Sequence, residues 1–208
     1  MCWSEPVSWI TLIIGTIFNI ISVIVINKPI VIATSIIWQF ALLMQFFDAL
    51  IWRDQKCGKL NKFATKGAYI SNMLQPIVAF IVLIFITKSS MVYKGITGTL
   101  VTVYIAYILL KAKEMKNIEC VKPICGHLNY DWWNNMKGGG LLYVITLVSV
   151  VLLLSQPFLF GVMESSYILL TLLVSMIVYK KTVPSMWCWM AAFAPLFTII
   201  FYKISSHK

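Results

Sequence analysis

The sequence predicts an all-α fold, a polytopic membrane helix bundle with seven transmembrane helices, on three observations. Of its 208 residues 60% are hydrophobic and 12% charged, where a soluble domain carries about 45–50% and about 25%. The mean hydropathy is +0.87. The basic residues sit in short connections between apolar runs, several of them near the ~20 residues that cross a hydrocarbon core. A soluble enzyme, a disordered chain, a collagen and a coiled coil are excluded.

The runs are read in order. Residues 9–26 form the first, closed by Asn27-Lys28-Pro29, and 30–52 the second, closed by Arg53-Asp54. Residues 67–86 form the third and 93–110 the fourth. An interfacial loop is expected over 114–138. The fifth covers 141–160, the sixth 165–179 and the seventh 183–202. A tight hairpin near Gly161 divides the fifth from the sixth, because one merged span would exceed a bilayer. All belong to a single transmembrane domain, 1–208. The first run lacks a basic leader and a small-x-small cleavage pattern, so it is expected to stay in the mature chain.

Prolines at 76, 157 and 195 fall within three of these runs and are expected to kink them. Gln75-Pro76 in the third and Ala194-Pro195 in the seventh would also suit a 3+1+3 arrangement of repeats.

The net charge of +10 sits in connections, where it orients spans and meets lipid headgroups. No nucleic-acid motif accompanies it. Twelve of the seventeen bases fall on the side of the N-terminus, so the charge bias expects a cytosolic N-terminus and an external C-terminus.

Polar residues inside a span turn toward other helices or a cavity. Helical spacing aligns Trp38, Gln45, Asp48 and Trp52, then Ala68, Asn72, Gln75 and Ala79. Gly15, Asn19 and Ser22 align in the first span, Thr146, Ser149 and Gln156 in the fifth, and Ser185, Cys188, Ala192 and Pro195 in the seventh. The Ser and Thr positions are read as helix contacts. Asp48, Gln45, Asn72, Gln75 and Gln156 are read as lining a path. Asp48 is the one acid well inside a run, and its alternative is an interfacial acid paired with a base. Glu164 falls in the expected hairpin and is read as solvated.

Five cysteines, Cys2, Cys57, Cys120, Cys125 and Cys188, share one predicted side. On a cytosolic face they are expected to be reduced; with the opposite orientation Cys120 and Cys125 would pair. Cys120, Cys125 and His127 are the candidates for zinc, although their spacing is not a standard knuckle. No other cofactor is expected, and retinal is excluded because residues 183–202 contain no lysine. The aromatic loop around His127 is read as a lid over Asp48, with Cys2 and Trp3 folding back into the same mouth.

Met1-Cys2-Trp3-Ser4, Cys57-Gly58, Asn61, Thr65, Tyr69, Gln75-Pro76 and Gly126-His127-Leu128 together resemble an uncharacterised family of small multi-span membrane proteins found in giant DNA viruses and bacteria. The resemblance covers the first three spans and the long loop. It implies Cys2, Trp3, Gln75, Pro76 and His127 as motif positions and implies no activity.

Three functions are weighed. The lead is a small channel or transporter for an ion, proton or small polar solute. The others are a membrane-embedded enzyme using His127 with a thiol or metal, and a structural protein of a viral membrane. The expected partners are the lipid bilayer and a small ion or polar solute, with homo-oligomerisation left open.

Overall fold

The computed structural model describes residues 4–115, 120–124, 126–136, 138–179 and 182–206. The described residues are all-helical apart from one small hairpin and the connecting turns. Their order is α1 Glu5–Ile26, α2 Pro29–Arg53, α3 Lys59–Ile86, α4 Met91–Met115, β1 Lys122–Ile124, β2 His127–Asn129, α5 Asp131–Asn134, α6 Gly139–Leu154, α7 Phe158–Val178, α8 Val183–Ala191 and α9 Ala194–Ser206.

Helices α1, α2, α3, α7 and the 91–111 stretch of α4 are each long and apolar enough to cross a membrane, and α8 with α9 makes a sixth if that bent pair is one span. This is the build of an integral membrane protein. Seven crossings are not reached by length: α6 is apolar but has 16 residues, about 24 Å of helix against a core of ~30 Å.

Two expected boundaries move. The α6–α7 turn lies at 155–157, not near Gly161. Pro157 is the N-cap of α7 rather than a kink inside a span. Gly161 stands inside α7, and a Cβ there would lie 2.7 Å from the Leu152 carbonyl oxygen, so glycine lets the two helices approach. The seventh run breaks in two, with α8 and α9 bent by 53°. Pro195 lies in the first turn of α9, lacks an N–H and would clash with the carbonyl four residues back. Pro76, by contrast, sits within an unbroken α3.

The packing is inverted relative to a soluble bundle. On α1 the buried face is Ser8, Thr11, Gly15, Asn19 and Ser22, while Ile10, Ile13, Ile17 and Ile24 are exposed. Lipid is as apolar as isoleucine, so small and hydrogen-bonding residues hold the interfaces. Ala33, Ala41 and Ala49 on α2 and Ala64, Ala68 and Ala79 on α3 are buried in the same way. Helix α2 is the most buried span and packs against α1, α3, α8 and α9.

Three connections and the start of α1 meet at one end of the bundle. Arg53 pairs with Glu5 at 2.5 Å, Cys57 is joined to Cys120, Asn61 Nδ2 donates to the Val121 carbonyl at 2.9 Å, and His127 packs edge-on against Tyr179 at 5.9 Å. Among its described residues, the interfacial loop expected over 114–138 carries the antiparallel β1–β2 hairpin and then the single turn α5. Gly126, just before β2, stands at φ +77°, a left-handed conformation that glycine adopts without a Cβ clash.

Candidate functional site

Beneath this cap lies Asp48, which is 0% exposed. It lies five residues before Arg53 on α2, but no cation pairs with it among the described residues. Its partners are neutral donors. Tyr130, just after β2, donates its phenol to Oδ1. Ser185 Oγ on α8 donates to Oδ2 at 2.6 Å. Gln45 Nε2 reaches Oδ2 at 3.3 Å and the Ser185 carbonyl at 3.0 Å. Burial, with the Asp48 carboxyl as the next cause, pushes the Tyr130 phenol far above its ordinary range, so Tyr130 stays protonated and remains a donor.

A second polar pair sits alongside. Gln75 on α3 accepts from the Tyr143 phenol of α6 and directs Nε2 toward Cys188 Sγ on α8 at 3.9 Å. Ser185 and Cys188 are three residues apart on one face of α8, so this short helix links Asp48 to Gln75. Asn72 lies one turn before Gln75, buried, and its Oδ1 has no partner among the described residues. Asn19 Oδ1 and Ser71 Oγ are buried without a partner among the described residues as well.

The cap is held by the residues that follow α2. Asp54 Oδ1 and Oδ2 accept from the Gly58 and Asn61 backbone N–H groups at 3.1 Å each, closing the start of α3. Those backbone donors, Asn61's foremost, hold the Asp54 carboxyl below its usual range. Asn61 and Thr65 then bind both sides of Val121: the Val121 carbonyl takes the Asn61 amide, and its N–H donates to Thr65 Oγ1 at 3.1 Å. Tyr69 meets the Trp132 ring edge-on at 5.2 Å. Cys57, Gly58, Asn61, Thr65, Tyr69 and Gln75 thus run from the loop after α2 along α3 to the core.

Several expectations are corrected. His127 does not reach Asp48; it is partly buried against Tyr179, its Nδ1 is unpartnered among the described residues, and burial lowers its basicity. Tyr130, three residues on, makes the contact instead. Gln156 is half-buried in the α6–α7 turn, at the opposite end of the bundle from Asp48. Glu164 is not solvated: it is 1% exposed, because α7 starts earlier than expected. Cys57 and Cys120 are not reduced but joined, which removes Cys120 from the zinc candidates. Cys2, Trp3 and Cys125 lie outside the described residues. Among the described residues no three His, Cys, Asp or Glu side chains gather as a metal site.

The disulfide and the basic residues argue for opposite compartments. The bases favour the cytosol for this end of the bundle, whereas a stable disulfide belongs to an oxidising space. Comparison with family models, with curated proteins and with solved structures gives no match.

Proposed function

We propose that the protein is a small transporter in which Asp48 takes up and releases a proton. One observation carries the reading: a fully buried carboxyl with no cationic partner among the described residues, closed over by a cap that supplies one of its hydrogen bonds. An unpaired carboxylate is costly in a low-dielectric interior, and such a group takes a proton rather than stay charged. Tyr130 and Ser185 carry hydroxyls that can donate or accept, so both protonation states can be satisfied in place. Opening the cap would withdraw Tyr130, admit water and favour release.

The orphaned Asn72 acceptor and the Gln75 amide, joined to Asp48 through α8, would serve a small polar solute moving with the proton. On the disulfide, we place the capped end in an oxidising compartment, the reverse of the charge-based expectation. Impermeant amine labelling of Lys62 on intact membranes decides that placement.

Proteoliposomes enclosing a pH-sensitive dye test the transport reading. Acidification under an imposed pH gradient is expected for the wild type and lost in Asp48→Asn. Equal rates with and without protein would end it.

A further inference from the structure

A second carboxyl is shut inside the bundle. Glu164 on α7 is held by two groups from two other helices. Trp38 Nε1 on α2 donates to Oε2 at 3.3 Å, and Thr198 Oγ1 on α9 donates to Oε1 at 2.6 Å. Trp38 precedes Asp48 by ten residues on α2, about 15 Å at 1.5 Å per residue. The two acids therefore occupy different halves of the bundle. Between them lie the rings of Trp38, Trp187 and Tyr143, with centroids 6.3 Å apart at each step.

The elements around Glu164 bring no charge to it among the described residues. On α7 itself the neighbouring titratable group is Tyr167, whose hydroxyl donates to the Met190 carbonyl at 2.9 Å. Cys188 of α8 and Tyr143 of α6 are engaged with Gln75. On α9, Tyr202 packs its ring on Phe160 and Lys203 is exposed. On α2, Asp48 is in the other half and Arg53 pairs with Glu5.

The two donors differ in kind. An indole N–H can only donate, but a hydroxyl can donate or accept. Thr198 Oγ1 also lies 3.2 Å from the Ala194 carbonyl oxygen. When Glu164 is ionised, Thr198 donates to it. When Oε1 carries a proton, Thr198 can turn its hydrogen to Ala194 and accept from Glu164. One hydroxyl rotation then satisfies every group in either state, with the backbone unmoved. Asp48 differs in detail: the Gln45 amide and the Ser185 hydroxyl both donate to Oδ2.

We propose that Glu164 is a second proton-binding site, with Thr198 as its hydroxyl switch, in the half of the bundle opposite Asp48. This extends the proton reading of Asp48 but is measured separately from it. Infrared spectra of the protein in lipid nanodiscs, recorded against pH, read the carboxylic C=O stretch directly. The expected result is a band that fades as pH rises and is missing in Glu164→Gln, a neutral mimic that keeps both hydrogen bonds. Trp38→Phe should shift that band without abolishing it, and serves if Glu164→Gln does not fold. A Glu164 band absent at every pH, or constant across the range the protein tolerates, would overturn the proposal and leave a structural acid. If the band titrates but liposomes carry no protons, the transport reading fails and this site stands. If protons flow and the band does not titrate, this site alone fails.

Discussion

Tyr130 donates its hydroxyl to Asp48 across 82 residues of sequence, and that bond ties the cap to the centre of the bundle. Tyr130→Phe keeps the buried ring and removes the bond. A hydrogen bond contributes about 0.5–1.5 kcal/mol to a neutral partner and about 1.5–3 kcal/mol to a charged one. The variant should melt several degrees lower in detergent, and Asp48 should become reactive to a carbodiimide. Unchanged labelling would mean that the cap closes without Tyr130.

Asp48 itself separates chemistry from stability. Asp48→Asn keeps the shape and should fold, yet it cannot exchange a proton, so proton flux should be lost. Asp48→Ala leaves Tyr130, Ser185 and Gln45 facing a void, and each unsatisfied buried group costs about 1–3 kcal/mol. Its expected signature is poor yield and a low melting temperature. If both variants carry protons at the wild-type rate, Asp48 is a structural residue.

Much of this site was legible and some was not, for physical reasons. The stripe of Gln45 and Asp48 and that of Asn72 and Gln75 follow from helical spacing, and all four residues are buried. Glu164 was misread because its role depends on where α7 begins. A shift of that boundary from 165 to 158 takes the acid from a hairpin to a core. Tyr130 was hidden in a loop rich in aromatics, where spacing carries no information about which ring turns inward. The Cys57–Cys120 pairing joins two distant connections, and no local pattern encodes it.

That pairing is open to a direct check. Peptide mass spectrometry after alkylation in denaturant should find Cys57 and Cys120 modified only when reductant is added, and Cys188 modified without it. Native disulfides contribute about 2–4 kcal/mol, so Cys57→Ser should lower the melting temperature and loosen the cap. Alkylation of both cysteines without reductant would refute the bond.

Asp54 gives a pH dependence whose sign is fixed. Its carboxyl is held below the usual range by the Asn61 and Gly58 backbone N–H groups. A group with a lowered folded value stabilises fully above its unfolded value, near 3.9, and loses that contribution as pH falls through the folded one. Asp54→Ala should therefore melt below the wild type at neutral pH, and the gap should narrow in acid. A gap independent of pH would mean that packing of the side chain, not its charge, holds the start of α3.

Two glycines make a paired test of helix packing. At Gly161 an added Cβ meets the Leu152 carbonyl oxygen at 2.7 Å and the Val151 carbonyl oxygen at 3.3 Å. Backbone cannot step aside as a side-chain tip can, so Gly161→Ala must push α6 from α7, at about 1–3 kcal/mol. At Gly95 on α4 nothing lies within 4 Å of the added atom. There alanine only gains helix propensity, about 0.8–1.0 kcal/mol over glycine. Thermal melts in one detergent should place Gly161→Ala below the wild type and Gly95→Ala level with it or above. The opposite order would show that α6 and α7 are not in close contact at this turn. It would also undo the early start of α7, which brings Glu164 into the core.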